Sequence, residues 1–172
     1  MESKLKEKLK KIKLVAMDVD GTLTDGRVYY SKNGEELKAF SIRDGMGIEL
    51  LHHNGISTAI ITTETSQIVT ARAMKLKIEH VILGSKNKLK DLIALCEEIH
   101  INLDEVAFIG DDINDIPALE AAGFSACPND AIKYVKDKVD FISENNGGNG
   151  AVREIIELIL EAQEKEIIFP IN

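Results

Sequence analysis

The chain has 172 residues, of which 44% are hydrophobic and 29% are charged, and its formal net charge is −8. This length and composition predict one globular domain, residues 1–172, with a sizeable core. The acidic balance argues against a nucleic-acid partner and against an anionic membrane surface, because both favour a basic protein face.

The sequence also favours a cytoplasmic protein without a membrane segment. No stretch approaches the ~20 apolar residues that a membrane-spanning helix needs. The first residues are charged, which is not typical of a signal peptide. Cys96 and Cys127 have neither zinc-binding nor redox spacing, so we expect a reducing compartment.

Apolar runs and helical periods alternate along the chain. Residues 4–13, KLKEKLKKIK, predict an amphipathic first helix with a solvated charged face. Buried strands are predicted at 13–17, 57–62, 80–83 and 106–110. Apolar residues with helical spacing lie in the segments 69–76, 89–96 and 152–159. The alternation predicts an α/β fold, a Rossmann-like parallel sheet with helices on both faces.

One segment, residues 27–42 (RVYYSKNGEELKAFSI), interrupts this alternation. Asn33-Gly34 predicts the turn of an inserted β-hairpin between the first strand and a helix that starts near Gly45. A hairpin on its own is marginally stable in water, and this one carries several aromatic and aliphatic side chains. We expect it to pack either on its own sheet edge or on a partner subunit.

Two aspartates follow the first strand in AMDVDGTLTDG, residues 16–26. Asp18 and Asp20 are two residues apart, so in an extended chain their side chains point the same way. Carboxylates that lie this close repel each other unless a cation or a shared proton lies between them. The pattern therefore indicates a cation-binding site at which a reaction takes place.

Other polar residues follow the remaining predicted strands. These are Thr62 and Glu64 after the second strand, Lys88 after the third, and Asp111, Asp112 and Asp115 after the fourth. In parallel sheets, ligands bind beyond the carboxyl ends of the strands, so these groups are expected at one edge. Carboxylate oxygens suit Mg²⁺, while a lysine and a hydroxyl suit phosphate oxygens.

The segments DVDGT, Thr62, Lys88 and GDDIND resemble, in order and spacing, the four motifs of the haloacid dehalogenase superfamily. The resemblance implies a phosphatase in which Asp18 attacks phosphorus and Asp20 serves as the acid and base. It implies Mg²⁺ held by Asp18, by the Asp20 carbonyl and by Asp111.

The same resemblance assigns roles to the remaining motif residues. Thr62 and Lys88 are expected to hold the phosphoryl oxygens. Asp115 is expected to brace Lys88 and the metal site, with Asp112 also supporting it.

No insertion large enough for a cap domain separates the motifs. The chain resembles the capless subfamily that hydrolyses 3-deoxy-manno-octulosonate 8-phosphate and 9-phosphorylated sialic-type acids. Residues 24–48 match the hairpin of that subfamily, and GGNGAVRE, residues 147–154, matches its C-terminal signature. Membership implies a homotetramer in which neighbouring chains close each active site.

The choice of sugar acid depends on fewer residues. Glu64, Lys75 and Asn114 resemble positions in members that act on nine-carbon acids, and Arg72 is expected to pair with the substrate carboxylate. These residues favour the nine-carbon acid slightly over the eight-carbon acid, although Thr63 stands where glycine is usual. Alternatively, Arg72 and Lys75 form a solvated helix face, and Asn114 caps a helix.

Three alternatives to this phosphatase remain at the sequence level. A mutase on the same scaffold normally needs a cap. A non-catalytic module typically lacks one of the motif aspartates, all of which are present. A relative of the domain fused to nucleotide–sialate synthetases would have an assembly role.

Two further segments have predicted structures. The glycine-rich loop ENNGGNG, residues 144–150, is predicted to be flexible and close to the site. The tail, residues 164–172, is expected either to reach a neighbouring site or to be loose.

Overall fold

The computed structural model describes residues 3–168 and contains a parallel sheet. Its strands are β1 (Leu14–Met17), β4 (Ser57–Ile61), β5 (His80–Ile82), β6 (Val106–Ile109), β7 (Phe124–Cys127) and β8 (Phe141–Ile142). Two other strands, β2 (Tyr29–Ser31) and β3 (Gly34–Leu37), form a separate hairpin. The helices are α1 (Ser3–Leu9), α2 (Ile42–His53), α3 (Gln67–Leu76), α4 (Lys88–Glu98), α5 (Ile116–Ala121), α6 (Lys133–Lys136) and α7 (Ala151–Ala162).

The six strands lie in the order β5–β4–β1–β6–β7–β8, so β1 lies inside the sheet between β4 and β6. Met17, the last residue of β1, pairs with Ile60 of β4 and with Ile109 of β6. The residues that follow these three strands are therefore neighbours at the carboxyl edge of the sheet. The predicted parallel α/β fold is confirmed.

Helices cover both faces because the strands are buried on both sides. Alternate residues of β1 enter different cores: Val15 and Met17 pack with α2, α3 and α7, whereas Leu14 and Ala16 pack with α4, α5 and α6. Sequence analysis missed β7 and β8, which extend the sheet beyond β6.

The inserted hairpin is present, with a turn one residue earlier than predicted. Ser31 pairs with Gly34, which leaves Lys32 and Asn33 as the turn, and Gly34 adopts a φ of +112°. The register shifts between Tyr29 and Tyr30, which marks a bulge. Among the described residues, β2 and β3 pair only with each other, so the hairpin is not an edge of the main sheet.

Two predicted helix bounds were wrong. Helix α2 begins at Ile42 rather than near Gly45, because the Ser41 hydroxyl accepts a hydrogen bond from the Asp44 amide and caps the first turn. Helix α1 ends at Leu9, so it covers only part of residues 4–13.

The predicted tail contact falls partly on residues 169–172, which lie outside the described residues. Within 3–168, Ile168 is exposed and Ile167 packs against the core. No helix in this range is long and apolar enough to cross a membrane.

A buried carboxylate joins the two helices that cover the centre of the sheet. Asp44, on α2, is 1% exposed and accepts hydrogen bonds from the Gly150 and Arg153 amides at the start of α7, at 3.3 and 2.9 Å. The first amides of a helix have no partner inside the helix, so Asp44 supplies one from outside. This contact fixes the start of α7 and the loop that precedes it.

We expect Asp44→Asn to lower the free energy of unfolding by about 1–3 kcal/mol, because the amide leaves one of the two backbone donors without an acceptor. Urea unfolding at one fixed protein concentration measures the change. The control is Asp137→Asn, an exposed aspartate at the end of α6, which should stay within about 0.5 kcal/mol of the wild type. Equal losses in the two variants would contradict this account.

Candidate active site

Asp18 and Asp20 lie where β1 ends at the centre of the sheet. The Asp18 amide donates to the Ile109 carbonyl at 2.9 Å, so the sheet pairing continues one residue beyond β1. Its side chain is 8% exposed. The chain then turns, because the Val19 carbonyl accepts hydrogen bonds from the amides of residues 22, 23 and 24. This turn places Asp20 beside the same edge.

The glycine of the turn allows the fourth motif to approach. Gly21 adopts a φ of +89°, and a Cβ atom there would lie 2.1 Å from Oδ2 of Asp111. The Thr22 hydroxyl donates to Oδ1 of Asp111 at 3.0 Å. Glycine and threonine at these positions therefore hold the carboxylate of Asp111 against the loop that carries Asp18 and Asp20.

Lys88 and Asp115 form a buried ion pair with Asp18. The Lys88 ammonium lies 2.7 Å from Oδ1 of Asp18 and 2.5 Å from Oδ1 of Asp115. The Lys88 and Asp115 side chains are 1% and 0% exposed. The second oxygen of Asp115 accepts from the Asp111 and Asp112 amides at 3.0 and 3.1 Å. Both oxygens of Asp115 are therefore engaged, and Asp115 fixes Lys88 relative to the fourth motif.

Burial, together with the charges of neighbouring groups, shifts the pKa values of the residues in this cluster. Burial and repulsion by Asp115 raise the pKa of Asp18 to about 6, although Lys88 opposes the change. Burial, followed by repulsion from Asp18 and Asp115, raises the pKa of Asp111 to about 7. Burial alone would lower the pKa of Lys88, but Asp18 and Asp115 hold it above its ordinary value.

The donor set of the cluster fits a divalent cation. Carboxylate oxygens of Asp18, Asp111 and Asp115 lie within 4.8 Å of one another. One ammonium group neutralises only part of their charge, and the raised pKa values show that the remainder is unfavourable. Oxygen ligands of this kind suit Mg²⁺. Because Asp115 is already engaged, Asp18 and Asp111 are the carboxylates left to bind it.

Thr62 lies at the end of β4, next to this cluster in the sheet order. Its side chain is buried, and its carbonyl accepts from the Ser85 amide at 2.9 Å, which joins this loop to the one that precedes Lys88. Asn87 caps α4 by accepting from the Lys90 amide, so Lys88 enters the site from the first helical turn. Lys86 and Lys90 are exposed, and Lys88 is the buried lysine of the three.

The residues predicted to choose the sugar acid do not join the aspartate cluster. Glu64, Lys75 and Asn114 are all exposed, and Lys75 lines a surface cavity with Glu49 and His52. The alternative that Asn114 caps a helix is wrong: Asp112 caps the short 3₁₀ turn 113–115.

Arg72 lies at the junction between the hairpin and α2. It donates to the Ser41 carbonyl at 2.9 Å, and its guanidinium carbon lies 5.5 Å from the centre of the Phe40 ring. It is half-buried, so the alternative of an ordinary solvated helix face does not describe it.

Sequence analysis missed a second lysine beside the site. The ammonium of Lys38, which follows β3, lies 2.6 Å from Oδ1 of Asp20 and 2.8 Å from Oε1 of Glu35. The other Glu35 oxygen accepts from the Ser66 hydroxyl at the start of α3. The only signal in the sequence was a lysine three residues after a glutamate in the predicted hairpin.

The glycine-rich loop packs on the turn that follows Asp18 and is fixed there by hydrogen bonds. A Cβ atom on Gly147 would lie 1.8 Å from the Gly21 carbonyl oxygen, so only glycine fits. The Gly147 amide donates to Asp130 at 2.9 Å and the Gly148 amide donates to the Thr22 carbonyl at 3.1 Å. The loop is near the site, as predicted, but these contacts do not fit the prediction that it is flexible.

Comparison with known proteins agrees with this geometry. A family model described as haloacid dehalogenase-like hydrolase matches residues 55–156. The chain is 40% identical to the 3-deoxy-D-manno-octulosonate 8-phosphate phosphatase of Haemophilus influenzae over 96% of this chain and 92% of the relative. It is 42% identical to the Escherichia coli enzyme of the same name over 92% of this chain and 84% of that protein.

A solved structure of such a phosphatase has the same fold as this chain. The phosphatase of this name from Moraxella catarrhalis, in complex with a magnesium ion, a phosphate ion and a KDO molecule, superimposes with a TM-score of 0.92. The two sequences are 43% identical, and the match covers 95% of this chain and 94% of the other.

We expect the thermal stabilisation by Mg²⁺ to increase between pH 5.5 and pH 8. The pKa values of Asp18 and Asp111 are higher in the folded protein than their ordinary value of 3.8. The folded state therefore holds more protons than the unfolded state, and metal-free stability falls as the pH rises through about 6 to 7. Mg²⁺ competes with those protons, so the rise in Tm on adding it should be larger at pH 8.

Differential scanning calorimetry with Mg²⁺ or EDTA measures this effect. Asp111→Asn should weaken both the response to Mg²⁺ and the pH dependence of the metal-free protein, whereas Asp137→Asn should keep both. If Mg²⁺ shifts Tm equally at both pH values, protonation of these carboxylates does not compete with Mg²⁺ binding.

Proposed function

Since the chain belongs to the haloacid dehalogenase-like hydrolases and is a magnesium-dependent phosphatase, we propose that its substrate is 3-deoxy-D-manno-octulosonate 8-phosphate. The observation that carries this proposal is the similarity to phosphatases named for that compound, which extends over 96% of this chain and 92% of the H. influenzae relative. The predicted resemblance to the superfamily and the predicted enzyme class are confirmed, which argues against the mutase and the non-catalytic module.

The slight preference for a nine-carbon acid is not confirmed. It depended on Glu64, Lys75 and Asn114, all of which are exposed. The relatives reported above carry the name of the eight-carbon compound. The eight-carbon acid is therefore the better supported substrate.

In the proposed reaction, an oxygen of Asp18 attacks phosphorus and the bond from phosphorus to the sugar oxygen breaks. Asp20 gives its proton to the departing sugar oxygen. A water molecule then attacks the aspartyl-phosphate and gives its proton to Asp20, which releases inorganic phosphate and restores Asp18. Splitting the hydrolysis in this way replaces one difficult step by two easier ones.

Buried groups of this chain support both steps. Lys88 holds Asp18 in place, and the proposal assigns the phosphoryl oxygens to Lys88 and Thr62, both of which are buried. Asp18, the Asp20 carbonyl and Asp111 would hold Mg²⁺, which would stabilise the charge that develops on the phosphoryl group. Positioning and charge stabilisation account for most of the catalysis in phosphoryl transfer.

We also propose that the hairpin assembles the chain into a homotetramer in which neighbouring chains close each site. Its exposed apolar side chains support this: Tyr29 is 53% exposed, Tyr30 71%, Leu37 63% and Ile42 83%. A capless site is open to water, which weakens electrostatic stabilisation of a phosphoryl group. A neighbouring chain would supply the missing cover.

We expect kcat/KM for 3-deoxy-D-manno-octulosonate 8-phosphate to exceed that for N-acetylneuraminate 9-phosphate by at least about tenfold, which corresponds to about 1.4 kcal/mol. The physical reason is that a site matched to one chain length places the phosphorus of the other away from Asp18. Phosphate release with Mg²⁺ measures both values. Asp18→Asn is the control and should release phosphate from neither. A preference for the nine-carbon substrate would overturn the assignment.

We expect sedimentation equilibrium to give the mass of four copies of the 19.0 kDa chain. Tyr30→Glu should lower that mass, because it places a charge at the proposed interface. Tyr134→Glu is the matched control: Tyr134 is 60% exposed on α6, and its substitution should leave the assembly intact. A monomeric wild type would refute the tetramer.

A further inference from the structure

A chain of polar contacts connects the hairpin to Asp20. The Lys38 side chain is 0% exposed, and its ammonium donates to Oδ1 of Asp20 at 2.6 Å. The same ammonium lies 2.8 Å from Oε1 of Glu35, whose second oxygen accepts from the Ser66 hydroxyl. The hairpin and the start of α3 therefore both hold the group that contacts Asp20.

The two oxygens of Asp20 are in different environments. Oδ1 faces the Lys38 ammonium and, at 3.5 Å, the Thr24 hydroxyl. An ammonium has donors and no acceptor, so Oδ1 must accept from it and cannot carry a proton directed at it. Oδ2 is buried and has no hydrogen-bond partner among residues 3–168. A buried oxygen without a hydrogen-bond partner is unfavourable unless a reacting group supplies the missing hydrogen bond.

We propose that Lys38 is a positioning residue that fixes Oδ1 of Asp20, so that Oδ2 is the oxygen that transfers the proton in both steps. This inference rests on the proposed role of Asp20 as the acid and base. In the first step the proton leaves Oδ2 for the departing oxygen as the phosphorus–oxygen bond breaks. In the second step Oδ2 takes the proton of the water that attacks the aspartyl-phosphate.

The surroundings of Lys38 favour positioning over direct contact with substrate. Its side chain is fully buried, and two of its three N–H groups already point to Asp20 and Glu35. Glu35 is itself held by Ser66, so the ammonium has an anchor on the side away from Asp20. An ammonium anchored in this way restricts the rotation of the Asp20 carboxylate.

The test is the pre-steady-state hydrolysis of p-nitrophenyl phosphate by the full chain with Mg²⁺. p-Nitrophenolate leaves without needing a proton, so Lys38→Met should form the aspartyl-phosphate readily and hydrolyse it slowly. We expect a burst of about one p-nitrophenol per active site and a fall in kcat of about 10–100-fold, which reaches the lower end of the ~10²–10⁴-fold contribution of acid–base catalysis because Asp20 itself is retained. Because hydrolysis of the aspartyl-phosphate then limits turnover, KM should fall together with kcat, and kcat/KM should change by less than about threefold. The control Lys10→Met, an exposed lysine just after α1, should match the wild type.

The burst amplitude counts folded sites, so a loss of folded protein is distinguished from slow turnover. If Lys38→Met does not fold, Glu35→Gln decides: it should lower kcat in the same direction by a smaller factor, and an unchanged kcat overturns the proposal. A raised KM with unchanged kcat in Lys38→Met would assign Lys38 to substrate binding and also overturn it.

Asp20→Asn separates this inference from the proposed function on which it rests. If Asp20→Asn turns over at the wild-type rate, the role proposed for Asp20 is wrong. If Asp20→Asn is slow and Lys38→Met resembles the wild type, only the role of Lys38 is wrong.

Discussion

Repulsion between buried carboxylates at the end of β1 is the constraint on which the rest of the site depends. Asp18, Asp111 and Asp115 share one small volume, and Lys88 supplies a single compensating charge. With all three ionised, the uncompensated charge equals that of one divalent cation. Lys88 is fixed by Asp115, and Asp115 is fixed by backbone amides, so the ammonium stays on one side of the cluster. The proposed Mg²⁺ would supply the remaining compensation.

The hairpin connects this electrostatic centre to the outside of the molecule. Its inner end contributes Lys38 to the carboxylate of Asp20, and its outer surface exposes Tyr29, Tyr30 and Leu37. A two-stranded hairpin has little stability of its own. The contacts through Glu35 and Ser66 tie it to the start of α3, which gives the Lys38 ammonium a defined place. The same short insertion therefore carries the residues of both proposals, the assembly of the chain and the positioning of Asp20.

The polar residues at the ends of the strands were predictable from sequence because each of them directly follows an apolar run. Asp18, Thr62 and Asp111 each follow an apolar run, and parallel strands bring such residues to one edge whatever the details of packing. Strands β7 and β8 were missed because FSAC has no clear alternation and β8 has only two residues. Lys38 was missed for a different reason: its contact with Asp20 depends on how the hairpin folds back, which no local pattern encodes.

The groups proposed for phosphoryl transfer differ in burial from the residues that the sequence suggested for recognition of the sugar acid. The groups proposed to transfer the phosphoryl group, such as Asp18 and Lys88, are buried and fix one another, so a change in any of them alters the geometry of the whole cluster. Glu64 and Lys75 are exposed and have no such constraint. Exposed residues can change without disturbing Asp18 and Lys88. A strong motif match therefore predicts the reaction better than it predicts the substrate.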